Sequence, residues 1–173
     1  IKYLAKFSKL MRLTLEYSKE SLIPIDKEIE SLQNYLELEQ LRFNDKFNFT
    51  ISKSNDIEDD VVLPPLLLQP FVENAIIHGV IPKKDKGEII ISFSIQNESL
   101  LCTIQDNGIG INQSKINKEN SVLAHKSMAI DIIQKRLEMI ASSTSKKATI
   151  KIEEQKEDNQ IKGTKVILQL PLQ

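Results

Sequence analysis

Ile1, Leu4, Phe7, Met11 and Leu15 recur at steps of three and four with Lys2, Lys6, Lys9 and Arg12 between them, which is the period of an amphipathic helix. Its apolar stripe needs a partner. Residues 21–24 interrupt the pattern, and Asp26 then suits the N-cap of a second helix running to about Asn44, with Ile29, Leu32, Leu36 and Phe43 on one face. The two helices fit a hairpin or a linker arm. From Phe47 the period shortens to two: Phe47, Phe49 and Ile51 alternate with Asn48, Thr50 and Ser52, as in a strand with one buried face. Asp56, Glu58, Asp59 and Asp60 follow as an acidic loop.

Across residues 64–79 a helical stripe returns in Leu68, Phe71, Val72, Ala75 and Ile76. Pro65 suits the first turn, where a missing N–H costs nothing, whereas Pro70 does not suit a helix interior, so a kink or a late helix start is expected there. Residues 83–87 read as a charged turn, and 88–96 and 100–105 as two strands of a hairpin joined through Asn97, Glu98 and Ser99. Residues 107–126 are polar and weakly patterned, a length at which a loop inside a compact domain is functional or mobile. Ala129, Ile130, Ile133, Leu137 and Ile140 mark another helix, before strands near 149–154 and 165–170.

A length of 173 residues allows one core-bearing domain with an appendage. Charged residues at 27% and apolar residues at 40% fit a folded globular chain and exclude disorder or collagen. The near balance of 23 basic against 24 acidic side chains gives no basic footprint and argues against a nucleic-acid partner. Cys102 is alone, so no internal disulfide forms, nothing spells a zinc or redox site, and a reducing compartment is implied. The longest apolar run, 61–68, is broken by Pro64 and Pro65 and falls short of the roughly 18 residues a membrane span needs. The chain opens at Ile1 inside an amphipathic pattern and without a signal sequence, so it reads as a piece of a longer polypeptide.

Three places carry possible chemistry. Asn74 and His78 are four apart and share one helix face, displaced from the apolar stripe. A carboxamide oxygen there suits Mg²⁺ and an imidazole suits a phosphate, although the pair alone reads first as a polar helix edge. Asp106-Asn107-Gly108-Ile109-Gly110 stands where a strand ends and the long loop begins. A carboxylate at a strand end accepts a hydrogen bond from an exocyclic amine such as that of adenine, and glycines let backbone pass close to a flat ring; the alternative is an ordinary Asn-Gly turn. Gly163-Thr164, entering the last strand, either reaches a ligand edge or completes a turn.

Taken in order, a helix with Asn74, then DNGIG, a polar loop, a helix and Gly163-Thr164 resemble the N, G1, lid and G3 elements of the gyrase, heat-shock-chaperone, histidine-kinase and MutL ATP-binding superfamily. More narrowly, Tyr35-Leu36-Glu37-Leu38-Glu39-Gln40-Leu41-Arg42-Phe43 and Pro64-Pro65-Leu66-Leu67-Leu68-Gln69-Pro70-Phe71-Val72-Glu73-Asn74-Ala75 resemble the signature of LytS-type sensor histidine kinases. The resemblance implies an α+β fold: a two-layer Bergerat-type ATP-binding sandwich with helices on one face of a mixed, mainly antiparallel sheet, preceded by N-terminal helices. It divides the chain into a helical segment, 1–45, and a catalytic ATP-binding domain, 46–173. By the same similarity Asn74 ligates Mg²⁺ bridging the ATP phosphates, Asp106 reads the adenine amine, Gly108 and Gly110 shape the pocket wall, and Thr164 supports the adenine. Residues 112–126 become the lid, with Lys126 and Ser127 at its end against the phosphates. Glu73 and His78 are the candidate catalytic residues, Glu73 to polarise an incoming imidazole and His78 to sit near the phosphates.

Departures from the pattern shape the expected activity. Ser127 and Ala129 replace the glycines that usually close the lid, and Pro70 replaces a water-activating Glu, which disfavours bulk hydrolysis and leaves phosphoryl transfer to a protein group. No segment matches the phosphoacceptor His of such kinases; His78 belongs to the N helix and His125 to the lid. The expected function is therefore donation of the ATP γ-phosphoryl group to a histidine outside this sequence, for onward transfer to a response-regulator aspartate. The resemblance also implies a sister subunit in a homodimer and a cytoplasmic position in a membrane-anchored bacterial sensor. The alternatives are a non-catalytic interaction module on the same fold, suggested by Ser127 and Ala129, and a serine kinase of the anti-sigma-factor type.

Overall fold

The computed structural model describes residues 2–111, 131–139 and 147–172. The expectations for the lid, for His125, Lys126, Ser127 and Ala129, and for Ile130 and Ile140 as helix markers lie outside the described residues.

Helix α1, Lys2–Tyr17, carries apolar residues on both its buried and its exposed face. It turns Leu10, Leu13 and Tyr17 inward, while the stripe read from the sequence faces out, with Leu4 66% and Leu15 61% exposed. Charge pairs fasten it to helix α2, Ile25–Arg42: Lys6 to Glu37, and Lys9 to Glu30 at 3.2 Å. Asp26 is not the N-cap of α2. Pro24 holds that position without a side-chain cap, because Ile23–Pro24 (β1) pairs antiparallel with Val62–Leu63 (β3) and the Ile25 amide donates to the Val61 carbonyl at 3.0 Å. Backbone pairing fixes the entry to the helix, and the Asp26 carboxylate takes Lys53 at 2.8 Å instead. The helix also ends at Arg42 rather than Asn44, since Asn44 and Asp45 turn left-handed with φ of 50° and 55°.

Strand β2, Phe47–Lys53, pairs parallel with β4, Gly87–Gln96; β4 with β5 (Ser99–Asp106), β5 with β7 (Gln160–Pro171) and β6 (Thr149–Glu157) with β7 are antiparallel. The order is β2-β4-β5-β7-β6, which is the expected mixed and mainly antiparallel sheet. Both hairpin turns have two central residues at positive φ, Asn97 and Glu98 (49° and 58°) and Asp158 and Asn159 (48° and 61°). That geometry matches strand twist and leaves Ser99 inside β5 rather than in the turn.

The stripe after Pro64 becomes a helix only at Gln69, so Pro65 is not its first-turn proline. Pro70 is, and the expected late start is what occurs. A proline at the first turn removes an N–H that has no helical acceptor, so the chain can begin there without loss. Helix α3, Gln69–Asn74, runs directly into a π-helical turn, Ala75–Val80, in which the Ile81 amide reaches back five residues to the Ile76 carbonyl at 3.0 Å.

Alternation places Ile89, Ile91 and Phe93, Leu100, Cys102 and Ile104, and Val166, Leu168 and Leu170 on one sheet face. Phe71, Val72 and Ile76, Leu32 and Leu36 from α2, and Ile133 and Leu137 from the helical residues 131–139 (α4) join them in one core. The opposite face carries a cross-strand Ser92–Thr103 hydrogen bond and a 40% exposed Ile90, so the fold is a two-layer α+β sandwich with helices on one face.

Candidate functional site

The helix-covered face ends in chemistry where β5 stops. Asp106 is its last residue, 5% exposed, with Ile89 and Thr164 as its cross-strand partners. Register partners share a face, so Asp106 and Thr164 are neighbours there. The Gly108 amide donates to Asp106 Oδ1 at 2.9 Å, which orients the carboxylate from the following turn. Asn107 serves the fold, since its amide donates to the Glu88 carbonyl at 3.1 Å and its Oδ1 accepts from the Glu88 amide at 2.8 Å, stitching the turn to β4.

The glycines differ in why they are glycines. A Cβ on Gly108 would lie 2.3 Å from the Gly79 carbonyl carbon, and one on Gly79 would lie 2.8 Å from Asp106 Oδ1. The DNGIG turn and the π-helical turn therefore touch backbone to backbone, and the Ile109 amide donates to the Gly79 carbonyl at 3.2 Å. Gly110 needs its residue type for conformation as well, with φ of 80° and Ile161 of the β6–β7 hairpin against it. Gly163, at φ 135°, leaves only 1.8 Å between a would-be Cβ and the Asp106 carbonyl oxygen. That approach explains Gly163-Thr164 better than a turn does.

Asn74 closes α3, half-buried, and His78 and Gly79 follow inside the π-helical turn, whose Gly79 backbone lies against the Asp106 end of the sheet. π-Helical turns of this kind concentrate at functional sites. Glu73 is exposed, and its charge reaches α2. Burial, and then the Glu73 carboxylate, push Glu39 above the usual carboxylate range against the opposing pull of Arg42; burial, Glu39 and Glu73 push the Tyr35 hydroxyl up. Thus Asp106, Thr164, Gly108, Gly110 and the helix bearing Asn74 and His78 gather at one end of the sheet. Lys126 and Ser127 lie outside the described residues.

Two residues that shape this site escape the sequence reading. Gly79 falls there within an apolar stripe, and Glu28 is not singled out. Glu28 is 1% exposed, and its carboxylate accepts from the Leu66 amide at 2.9 Å and the Leu68 amide at 3.3 Å. Its signal is positional: Glu28 stands on the stripe that Leu32 and Leu36 continue, where a charge is out of place.

A strand-end carboxylate against Gly79 of the π turn, on a sheet with one covered face, fits the ATP-binding α+β architecture that the sequence resemblance implies. Residues 59–173 match the model of the histidine kinase-, DNA gyrase B-, and HSP90-like ATPases, and residues 1–47 match a histidine kinase model. The chain belongs to the histidine kinase-, DNA gyrase B-, and HSP90-like ATPase family, and it carries the ATP-binding catalytic domain found in sensor histidine kinases. The sensor protein LytS of Oceanobacillus iheyensis is 39% identical over 113 residues, 64% of this chain and 19% of that protein. The sensor histidine kinase/phosphatase LytS of Staphylococcus aureus is 36% identical over 114 residues, 65% of this chain and 19% of that protein. The chain therefore spans about a fifth of the length of the curated relatives it matches. Among solved structures, histidine kinase ThkA in complex with response regulator TrrA aligns with TM-score 0.55 and 18% identity over 98% of this chain and 48% of that one, a likeness of fold.

Proposed function

We propose that residues 46–173 bind Mg²⁺·ATP and donate its γ-phosphoryl group to a histidine outside this sequence, which then passes it to a response-regulator aspartate. The observation that carries the reading is the fixed Asp106 carboxylate at the end of β5, hydrogen-bonded by the Gly108 amide and facing Gly79, where no Cβ stands over it. A flat base with an exocyclic amine fits such an acceptor beside a side-chain-free wall. Asp106 reads the adenine amine, Gly108 and Gly110 form the wall, and Thr164, the register partner of Asp106, supports the ring.

Asn74 supplies a neutral carboxamide oxygen, a hard ligand suited to Mg²⁺ shared with phosphate oxygens. Neutralisation of phosphate charge is the chemistry that a bound Mg²⁺ brings to this site. By the resemblance, His78, Lys126 and Ser127 are assigned to the phosphates and Glu73 to polarising the acceptor imidazole. Catalysis then rests on positioning, with no covalent nucleophile in the domain. Residues 1–45 are the helical remnant of a dimerising segment and its linker. The outward stripe of Leu4, Phe7, Met11 and Leu15 on α1 is assigned to the sister subunit. No described helix is long and apolar enough to cross a membrane. By its likeness to the LytS sensor proteins, the proposed position is a cytoplasmic one in a membrane-anchored sensor.

Titration calorimetry with ATP, with and without Mg²⁺ and against GTP, tests the reading. Mg²⁺-dependent, adenine-selective binding is expected, with Asn74→Ala removing the Mg²⁺-dependent part of the affinity and sparing metal-free binding. Absence of binding at millimolar ATP would favour a non-catalytic interaction module. Equal losses with and without metal would remove the ligand role of Asn74.

A further inference from the structure

The helix that carries Asn74 has no side-chain cap of its own. Leu68 stands at its N-cap, and the Phe71 and Val72 amides both donate to the Leu68 carbonyl, at 3.0 and 3.1 Å. What fixes Leu68 comes from elsewhere in the chain. Glu28, in the first turn of α2, places one carboxylate oxygen on the Leu66 amide and the other on the Leu68 amide. Between them the chain passes Leu66 in a left-handed conformation, φ 58°, which a leucine holds only where its surroundings impose it. Arg136 of α4 donates to the Pro65 carbonyl at 3.1 Å. The loop 64–68 is thus held by an anion on α2 and a cation on α4, and Leu68, its last residue, is the N-cap of the Asn74 helix.

We propose that Glu28 is a positioning residue for the nucleotide site: by holding the Leu66 and Leu68 amides it sets where the Asn74 helix begins, and so ties the placement of Asn74 to helix α2. The carboxylate matters as an acceptor of two diverging amides. Burial pushes its pKa up, and the Leu66, Leu68 and Leu67 amides and the Arg136 charge favour the ionised group against that burial. Toward the far end of the same α2 face Tyr35 and Glu39 feel the Glu73 carboxylate, so α2 also runs close to the Asn74 helix there. A movement of α2 would therefore reach Asn74 through backbone hydrogen bonds rather than through the sheet. The consequence for nucleotide rests on the ATP reading above; the mechanical link does not.

Glu28→Gln keeps the size of the side chain but turns one acceptor into an NH₂ that faces a backbone N–H. In hydrogen exchange on the nucleotide-free protein, amides of residues 66–76 are expected to exchange about tenfold faster, with β5 and β7 unchanged. In calorimetry, Mg²⁺·ATP affinity is expected to fall about tenfold in the wild-type background and not further in Asn74→Ala, since both changes act on one ligand. Unchanged exchange at 66–76, or an equal affinity loss in both backgrounds, would overturn the proposal. Should Glu28→Gln fail to fold, Glu28→Asp keeps the charge but draws the carboxylate back by one methylene from the Leu66 and Leu68 amides, and unaltered exchange at 66–76 would overturn the proposal equally. A wild-type protein that binds no ATP would sink the functional reading, while the exchange result would still decide the link.

Discussion

Gly108→Ala tests whether the site is built on backbone contact. Gly108 is not among the glycines at positive φ, so an alanine could adopt its conformation, and only space forbids one. Its Cβ would stand 2.3 Å from the Gly79 carbonyl carbon and 2.4 Å from both the Cα and the oxygen, where ordinary contact begins near 3.4 Å. The obstacle is main chain held in a helix, so the DNGIG turn and the π-helical turn must part by about 1 Å. Overpacking of that size costs about 1–3 kcal/mol. The 3.2 Å hydrogen bond from Ile109 to Gly79 would stretch beyond use at a further cost of about 1 kcal/mol. Urea unfolding should show a total loss of about 2–4 kcal/mol. Since Gly79 also lies against Asp106, ATP affinity should fall at least about tenfold in the molecules that remain folded. A loss below about 1 kcal/mol with unchanged ATP binding would refute the argument that the two turns are in contact.

Asp106→Asn keeps an oxygen for the Gly108 amide, so stability should stay within about 1 kcal/mol while ATP affinity falls at least about tenfold; unchanged affinity in calorimetry would remove Asp106 as the adenine reader. Hydrogen bonds from Lys6 and then Gln33 hold Glu37 below the usual carboxylate range. The stabilisation this lends to α1 packing is present above the unfolded-state value and is lost as pH falls through the lowered folded value, from about pH 5 downward. For a solvent-facing pair it amounts to at most about 1 kcal/mol and shrinks in salt, so the stability gap between wild type and Glu37→Gln should close in acid; a constant gap would contradict the clamp. Cys102 is fully buried, and burial raises its thiol pKa, so thiol reagents should label it only at the rate of global unfolding; rapid labelling in native buffer would show that this part of the core opens locally.

Much of the architecture is legible in the sequence because it is local. The alternation of Phe47 to Ser52, the proline that cannot sit inside a helix at Pro70, and the paired runs about Asn97 each state a backbone preference within a few residues. Asp26 and Pro65 mislead for a common reason. Each suits a helix start by its own chemistry, but β1–β3 pairing and the loop anchored by Glu28 decide where those helices begin. Local preference of about 1 kcal/mol yields to a set of backbone hydrogen bonds supplied by tertiary structure. The outward stripe on α1 is a different case. Periodicity reports that a helix has apolar faces, and cannot say that Leu10, Leu13 and Tyr17 are the ones turned inward, the last two against Ile23 of β1.

The site shows the same division between what a residue type states and what position decides. Asp106, Gly108, Gly110 and Thr164 can be picked out because the order of their motifs resembles a known family, yet nothing in that order says why Gly108 cannot carry a Cβ. The reason is Gly79, 29 positions earlier, brought against it by a helix that widens into a π turn. Likewise, Asn74 is readable from its own helix, whereas the start of that helix is held by Glu28, 46 positions earlier. Site residues that meet a ligand announce themselves by chemistry. Those that hold the ligand-binding residues in place are a missing methyl group or a carboxylate on an apolar stripe, and they acquire meaning only from what the fold sets opposite them. Glu28 is the more detectable of the two, because a buried charge must be compensated, and a sequence that places one among Leu32 and Leu36 already requires a set of donors to meet it.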